Sequence, residues 1–355
     1  MYSNRKINRQ AGFSMIELMI SLATMTIITG AAFALIGSSI KFSNATYHMT
    51  DTEQGLRTAH EVINRDLTTA GDGLKGIGTI KVPKAFVQTY LTQTPVVIST
   101  DPNYVNMALV TSDDAVPANT AVPQTSPAVN VLTNTDRLTI LTQDYTTFPT
   151  PVTVLAGKIT VSGSNTLIVV PSADIGKFQA GEMYALLAQN SAAFFVISSV
   201  NLSTYTLTVT NGDTYQINQT GAGTPINVVS SGGTLPSTIV RIQIIHYFVD
   251  SNNLLIRRVF GVKKETFVDN VIAEHVVNMQ FRYLVNLTDA NGFVPQPVRQ
   301  LSTSQQQLAV REVEATVAVE TLRAVNTVTA NNSGKQTISS TTATTVRNLQ
   351  FRQAL

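Results

Sequence analysis

The stretch Gly12-Phe13-Ser14-Met15-Ile16-Glu17-Leu18 opens an apolar run that continues to about Ile40, and Glu17 is the one charge within it. Arg5, Lys6 and Arg9 stand just before it. About 20 apolar residues suffice for a helix to cross the roughly 30 Å hydrocarbon layer of a bilayer. The run meets that length, and a carboxylate sits one turn from its start. An acid inside a membrane segment costs at least about 2.5 kcal/mol, so it reads by default as a functional group with a partner.

Two simpler explanations fit less well. A secretory signal peptide has a basic start and an apolar core of about 7 to 15 residues before a small-residue cleavage site. Ser21 to Ala23 offer such a site, but too little apolar sequence precedes them and Glu17 interrupts it. A plain membrane anchor accounts for the length and leaves the acid unexplained. The combination of basic leader, Gly12, aromatic Phe13, Glu17 and apolar run resembles the class III signal of type IV prepilins and of type II secretion pseudopilins. That resemblance implies that a membrane peptidase cuts after Gly12 and methylates the new amino group on Phe13. It also implies that Glu17 is the acid used in assembly. Phe13-Ser14-Met15-Ile16-Glu17-Leu18-Met19 is most similar to PilW-like minor pilins, with Ser14 and Met15 where Thr and Leu are commoner. On the new N-terminus, Glu17 complements the positive helix end. It can also neutralise the amine of a neighbouring subunit, so that two charges costly in lipid are paired.

The rest of the composition constrains function mainly by exclusion. Among 355 residues there is no Cys and no Trp, and 13% are charged with a formal net charge of +2. No disulfide framework is available, and no global basic field points to nucleic acid. The basic leader predicts a cytoplasmic N-terminus and an extracytoplasmic C-terminal region. Abundant Thr and Ser predict a β-rich exterior.

Along the chain, Leu56, Ala59, Ile63 and Leu67 recur at helical spacing, so the helix is expected to run on from Lys41 to about Thr69. Gly30 and Gly37 each weaken it by about 1 kcal/mol relative to Ala. Many major pilins have a helix-bending proline where this chain has Ala34. Gly71-Asp72-Gly73 is expected to end the helix. Gly71-Asp72-Gly73-Leu74-Lys75-Gly76 also matches G-x-G-x-x-G by letter, but it follows a helix instead of opening one and so reads as a linker. Residues 82–236 read as a β-rich insertion. Its expected strands are Arg137–Leu141, Thr166–Val170, Ala193–Val200 and Tyr205–Val209, and Pro117, Pro123 and Pro127 mark a long loop. The segment Lys177 to Tyr184 resembles a strand-turn-strand unit.

Farther on, Arg241–Val249 and Leu254–Val259 form an expected hairpin around Asp250–Asn253. Val276–Tyr283 and Val310–Thr321 follow as strands. Their succession resembles the C-terminal sheet of PilW-like and pseudopilin J-like proteins, and Thr345-Val346-Arg347-Asn348-Leu349 resembles the closing stretch.

Residues that could carry other chemistry are scattered. His48, His60, His246 and His275 lack ligand spacing and read as surface or strand histidines. Asp113-Asp114 reads as a solvated loop pair instead of an acid/base couple. Asp289-Ala290-Asn291-Gly292 suggests a calcium loop, but Pro297 stands where a bidentate Glu belongs, so a hairpin turn is the better reading.

These readings converge on an α+β chain: a long N-terminal helix, membrane-spanning in its first half, packed on an antiparallel β-sheet with a large β-rich insertion. The expected division is leader 1–12, membrane and assembly helix 13–40, exterior helix 41–71, linker 72–81, insertion 82–236 and C-terminal sheet 237–355. The resemblance implies a non-enzymatic minor type IV pilin in pilus initiation or at the tip, with a type II secretion pseudopilin as the alternative. Its partners would be prepilin peptidase, other minor and major pilins, an inner-membrane assembly platform and the lipid bilayer. No metal or cofactor is called for. A rival of another class is a membrane-anchored surface adhesin or glycan-binding protein that uses residues 82–236.

Overall fold

A computed structural model describes residues 12, 14–74, 77, 79–91, 104–122, 129–188, 191–219, 224–230, 236–261, 267–289, 292–325 and 334–346. Its longest element is helix α1 (Met15–Thr69), 55 residues without a proline. Gly30 and Gly37 do not interrupt it. The chain divides into two compact units, one of residues 1–51 with 321–336 and the other of residues 52–320 with 337–355.

Within the first unit, α1 exposes nearly every large apolar side chain it carries, from Met15 and Ile16 to Ile40 and Phe42. Several of its hydroxyls are nevertheless satisfied. Ser21, Thr24 and Thr26 bond back to the carbonyls of Glu17, Ile20 and Leu22 at 2.8, 3.0 and 2.8 Å. Such internal bonding lets hydroxyl side chains enter an apolar medium.

The second unit is built mainly of strands. First come β1 (Thr79–Pro83), β2 (Tyr104–Ala108), β3 (Val110–Asp113), β4 (Arg137–Gln143) and β5 (Val152–Val154). Then β6 (Ile159–Ser162), β7 (Asn165–Val169), β8 (Met183–Ala188), β9 (Ser191–Val196), β10 (Ser199–Asn201) and β11 (Thr206–Thr210) follow. The last group is β12 (Ser237–Val249), β13 (Leu255–Phe260), β14 (Phe267–Ala273), β15 (Val276–Asp289), β16 (Gly292–Val298), β17 (Val310–Glu320) and β18 (Thr337–Thr345). One ten-stranded sheet runs β14-β13-β12-β8-β9-β1-β2, with β3, β4 and β5 joined through β4 and β12. Its β1–β9 pair is parallel, so the sheet is mixed. Two four-stranded sheets run β10-β11-β7-β6 and β16-β15-β17-β18.

Two cores result. The larger gathers the α1 stripe Leu56, Ala59, Ile63 and Leu67 with residues of β4, β12, β15 and β17. The second lies around Phe148, Phe178, Tyr184 and Phe195, together with Ile168 and Leu207 of the small β10-β11-β7-β6 sheet. Strand β12 serves both: Ile239 belongs to the second core and Val240 to the first. It is buried on both faces even though Arg241, Gln243 and His246 interrupt its apolar residues, and it begins at Ser237, four residues before the expected Arg241.

Several expectations meet corrections here. The strand expected over Ala193–Val200 is broken at Ile197 and Ser198 into β9 and β10, and Tyr205 takes φ of 54° at the turn before β11. Lys177 to Glu182 form no strand; Lys177 ends a helical turn, and only Met183 and Tyr184 enter β8. The C-terminal strands divide between two sheets, β12 and β13 in one and β15 and β17 in the other.

Other expectations stand. Gly71 and Gly73 both have φ of 72°. A Cβ on Gly73 would lie 1.8 Å from Gln143 Oε1, so only glycine lets the chain pass β4 there. Asp250 accepts the amides of Asn252 and Leu254 at 3.0 and 2.8 Å, closing the β12–β13 turn. Asp289 pairs with Gly292 in register, the spacing of a two-residue hairpin; Ala290 and Asn291 lie outside the described residues. So do Arg5, Lys6, Arg9, Phe13, Lys75, Gly76, Pro123, Pro127 and the segment Arg347-Asn348-Leu349.

Candidate processing and assembly segment

Gly12 precedes α1 and is exposed, with no atom within 4 Å of where a side chain would begin. Helix α1 begins at Met15, and the Ser14 carbonyl accepts the amides of Glu17 and Leu18 at 3.0 and 3.1 Å. Glu17 therefore stands in the first turn, exposed, at the end where amides carry partial positive charge. The 23 residues from Leu18 to Ile40 rise about 35 Å at 1.5 Å each. That exceeds the roughly 30 Å hydrocarbon thickness, so the helix is long and apolar enough to cross a membrane.

Several ionisable groups elsewhere are engaged with one another. Asp66 of α1 accepts the Tyr247 hydroxyl at 2.6 Å and pairs with Arg257 of β13. Burial, and then the Asp66 charge, push the Tyr247 hydroxyl far above the ordinary tyrosine range. Arg241 of β12 bridges Asp144 at 3.0 Å and Glu182 at 2.8 Å, and the Tyr184 hydroxyl donates to Glu182 at 3.1 Å. The Arg258 guanidinium lies 3.8 Å from the Phe267 ring centroid and makes two 2.7 Å bonds to Asp269. In each case a carboxylate is already paired with a guanidinium, which leaves a closed structural lock and not an open site.

Two expectations about candidate groups are corrected by this packing. Asp113 is not solvated: it is buried at the end of β3, directly opposite Arg137 in register, and the two form an ion pair. His60 is not a surface residue. It lies under β18, its ring within 3.2 Å of the Ser340 carbonyl and 2.8 Å of the Thr342 hydroxyl, and burial lowers its pKa. His246 is a strand histidine as expected, buried in β12 and 2.8 Å from the Thr139 hydroxyl. Burial, with Arg137 and Arg258 nearby, holds its pKa well below the ordinary histidine value. Among the described residues no group of three or more His, Asp or Glu side chains is placed to hold a metal.

The sequence pattern does not single out the Asp66, Arg241 and Arg258 locks. A signal for them existed: an arginine within an otherwise apolar strand needs a buried partner.

A family model described as the prokaryotic N-terminal methylation motif matches residues 7–33. No curated protein and no solved structure matches the chain. The matched segment includes Gly12 and Glu17 and the membrane-length start of α1, and such a motif implies processing by prepilin peptidase and assembly with other pilins. Residues 7–33 are thus similar to the prokaryotic N-terminal methylation motif and lead into a helix long and apolar enough to cross a membrane.

Proposed function

We propose that the protein is a minor type IV pilin, a structural subunit of PilW-like kind that takes part in initiating the pilus or forming its tip. The observation that carries this reading is the coincidence of the methylation motif over residues 7–33 with a helix start at Met15 and an exposed acid at Glu17. In this reading the basic leader holds the precursor in the inner membrane with its C-terminal region outside the cytoplasm. Cleavage after Gly12 frees Phe13, whose amine is methylated. Glu17 then pairs with the amine of an adjacent pilin. That exchange removes two charges from lipid at once, which gives assembly a directional term that apolar packing between helices lacks. Gly30, Ala31, Ala32 and Ala34 allow close helix approach on the same segment. A type II secretion pseudopilin is the second reading, since the same class of signal serves both systems.

Intact mass and N-terminal fragmentation of the protein from its native membrane test the proposal. The expected chain begins at N-methylated Phe13. A chain retaining Met1 makes it a plain anchor, and a start beyond Ala23 makes it a signal-peptide substrate. Glu17→Ala should give the same processed mass while losing co-isolation with other pilins. Undiminished co-isolation would remove Glu17 from assembly.

A further inference from the structure

Among the described residues the sheet β16-β15-β17-β18 ends on β18, and the hydrogen-bond parity of that strand leaves the groups on one side of it without a strand partner. The Val346 amide donates to the Arg311 carbonyl at 2.9 Å, and the pairing runs in unbroken register from Glu312 with Thr345 to Glu320 with Thr337. In an antiparallel ladder, residues alternately bond to the partner strand and point away from it. Ile338, Ser340, Thr342 and Thr344 therefore bond to β17. The amides and carbonyls of Thr337, Ser339, Thr341, Ala343 and Thr345 point to the free edge, and none has a backbone partner among the described residues. The same five side chains are exposed.

Edge strands ordinarily carry a device that discourages further pairing: a proline, a charge or shortness. The other edges here have one. Strand β16 contains Pro295 and Pro297, and β14 contains Asp269. Strands β2, β6 and β10 run only five, four and three residues. Strand β18 has none of these. Its nine residues are Thr, Ser, Ala and Ile alone. Its inner face is also held firmly: His60 engages Ser340 and Thr342, and Asn64 accepts the hydroxyls of Thr342 and Thr344 at 3.2 and 2.6 Å.

Charge on the open face indicates what would pair there. One strand in from the edge, β17 places Glu312 and Glu314 opposite Thr345 and Ala343, so no base from β18 faces them. Arg282 reaches Glu314 at 3.6 Å from the β15 side, through solvent-exposed side chains. Ser339, Thr341 and Ala343 are short. A lysine or arginine on a strand seated beside β18, about 9.5 Å from β17, can lie across them to the glutamates.

We propose that β18 is a docking edge that accepts, by strand addition, an extended segment of a different protein carrying Lys or Arg at alternate positions. A second copy fits poorly, because β18 offers no base to the glutamates of its mate. The proposal goes beyond the pilin reading and does not use Glu17, so either can fail without the other.

The test measures binding of two fluorescent nine-residue peptides, alternating Lys with Thr and alternating Glu with Thr, to the full chain in detergent. The Lys peptide should bind saturably and the Glu peptide at least about tenfold more weakly, because opposed charges pair across strands and like charges repel. Thr341→Pro should weaken the Lys peptide at least about tenfold, since it removes a donor aimed at the free edge and spares the β17 ladder. Thr341→Val should bind as the parent does. Should the proline variant melt earlier, Glu312→Gln with Glu314→Gln gives the answer by abolishing the preference between peptides. No saturable binding, equal affinity for both peptides, or full binding by a folded Thr341→Pro variant would overturn the proposal. A dimer dissolved by Thr341→Pro would also overturn it, assigning the edge to a second copy.

Discussion

Asp136 ties two sheets together through one carboxylate. Its oxygens accept the Ala115 amide at 2.9 Å and the Phe281 amide of β15 at 2.6 Å, and its own amide donates to the Met279 carbonyl at 2.8 Å. Burial, which outweighs the two amide bonds, raises its pKa to about 6, with Asp114 adding to the rise. A carboxyl whose folded pKa lies above its unfolded value binds its proton more tightly when folded. The stability this contributes is complete below about pH 4 and is lost as pH rises through about 6. Relative to Asp136→Asn, the parent should lose on the order of 3 kcal/mol of unfolding free energy across that window, from about 1.4 kcal/mol per pKa unit. Urea unfolding at pH 4, 5, 6 and 7 checks this, and parallel pH profiles would show that Asp136 does not titrate as described. Glu17 was legible in the sequence and Asp136 was not, for one reason. A charge in an apolar run is anomalous wherever it folds, whereas Asp136, between Thr135 and Arg137, looks like loop polarity until Phe281 arrives from 145 positions away.

At the scale of elements, α1 has two environments along one helix. From Thr52 onward its stripe is buried, with Ala59, Ile63 and Leu67 at 0% exposure, while Ile27, Ile28 and Phe33 remain about 70% exposed. Asp66 engages β12 and β13 on one side, and His60 and Asn64 engage β18 on the other, so this part of the helix joins two sheets. Ile63→Ala should lower the unfolding free energy of the unit of residues 52–320 and 337–355 by about 2 to 5 kcal/mol through lost burial and an unfilled cavity. Ile28→Ala should leave that value unchanged, as measured by chemical denaturation in detergent. The stripe itself was readable from its three- and four-residue spacing. Its partners were not, because a periodicity states that a face is buried and not what covers it.

For the whole molecule, β12 is the piece that both cores require. It pairs with β4, β5, β8 and β13, and so ties strands before residue 236 to strands after it. A fragment of residues 82–236 lacks β12 and should remain unfolded alone, without the dispersed amide spectrum of a packed β protein. A well-dispersed spectrum would show that this segment folds independently. The α+β architecture, the helix length, the β12–β13 turn and the match to the N-terminal methylation motif all follow from local pattern: runs of one polarity, period 3.6, turn residues, and a charge set where apolar sequence surrounds it. The division of the C-terminal strands between two sheets, the guanidinium locks, the burial of Asp113 and His60, and the open edge of β18 depend on residues far apart in sequence. Hydrogen-bond register and burial exist only between segments, so these features were decided by tertiary packing alone.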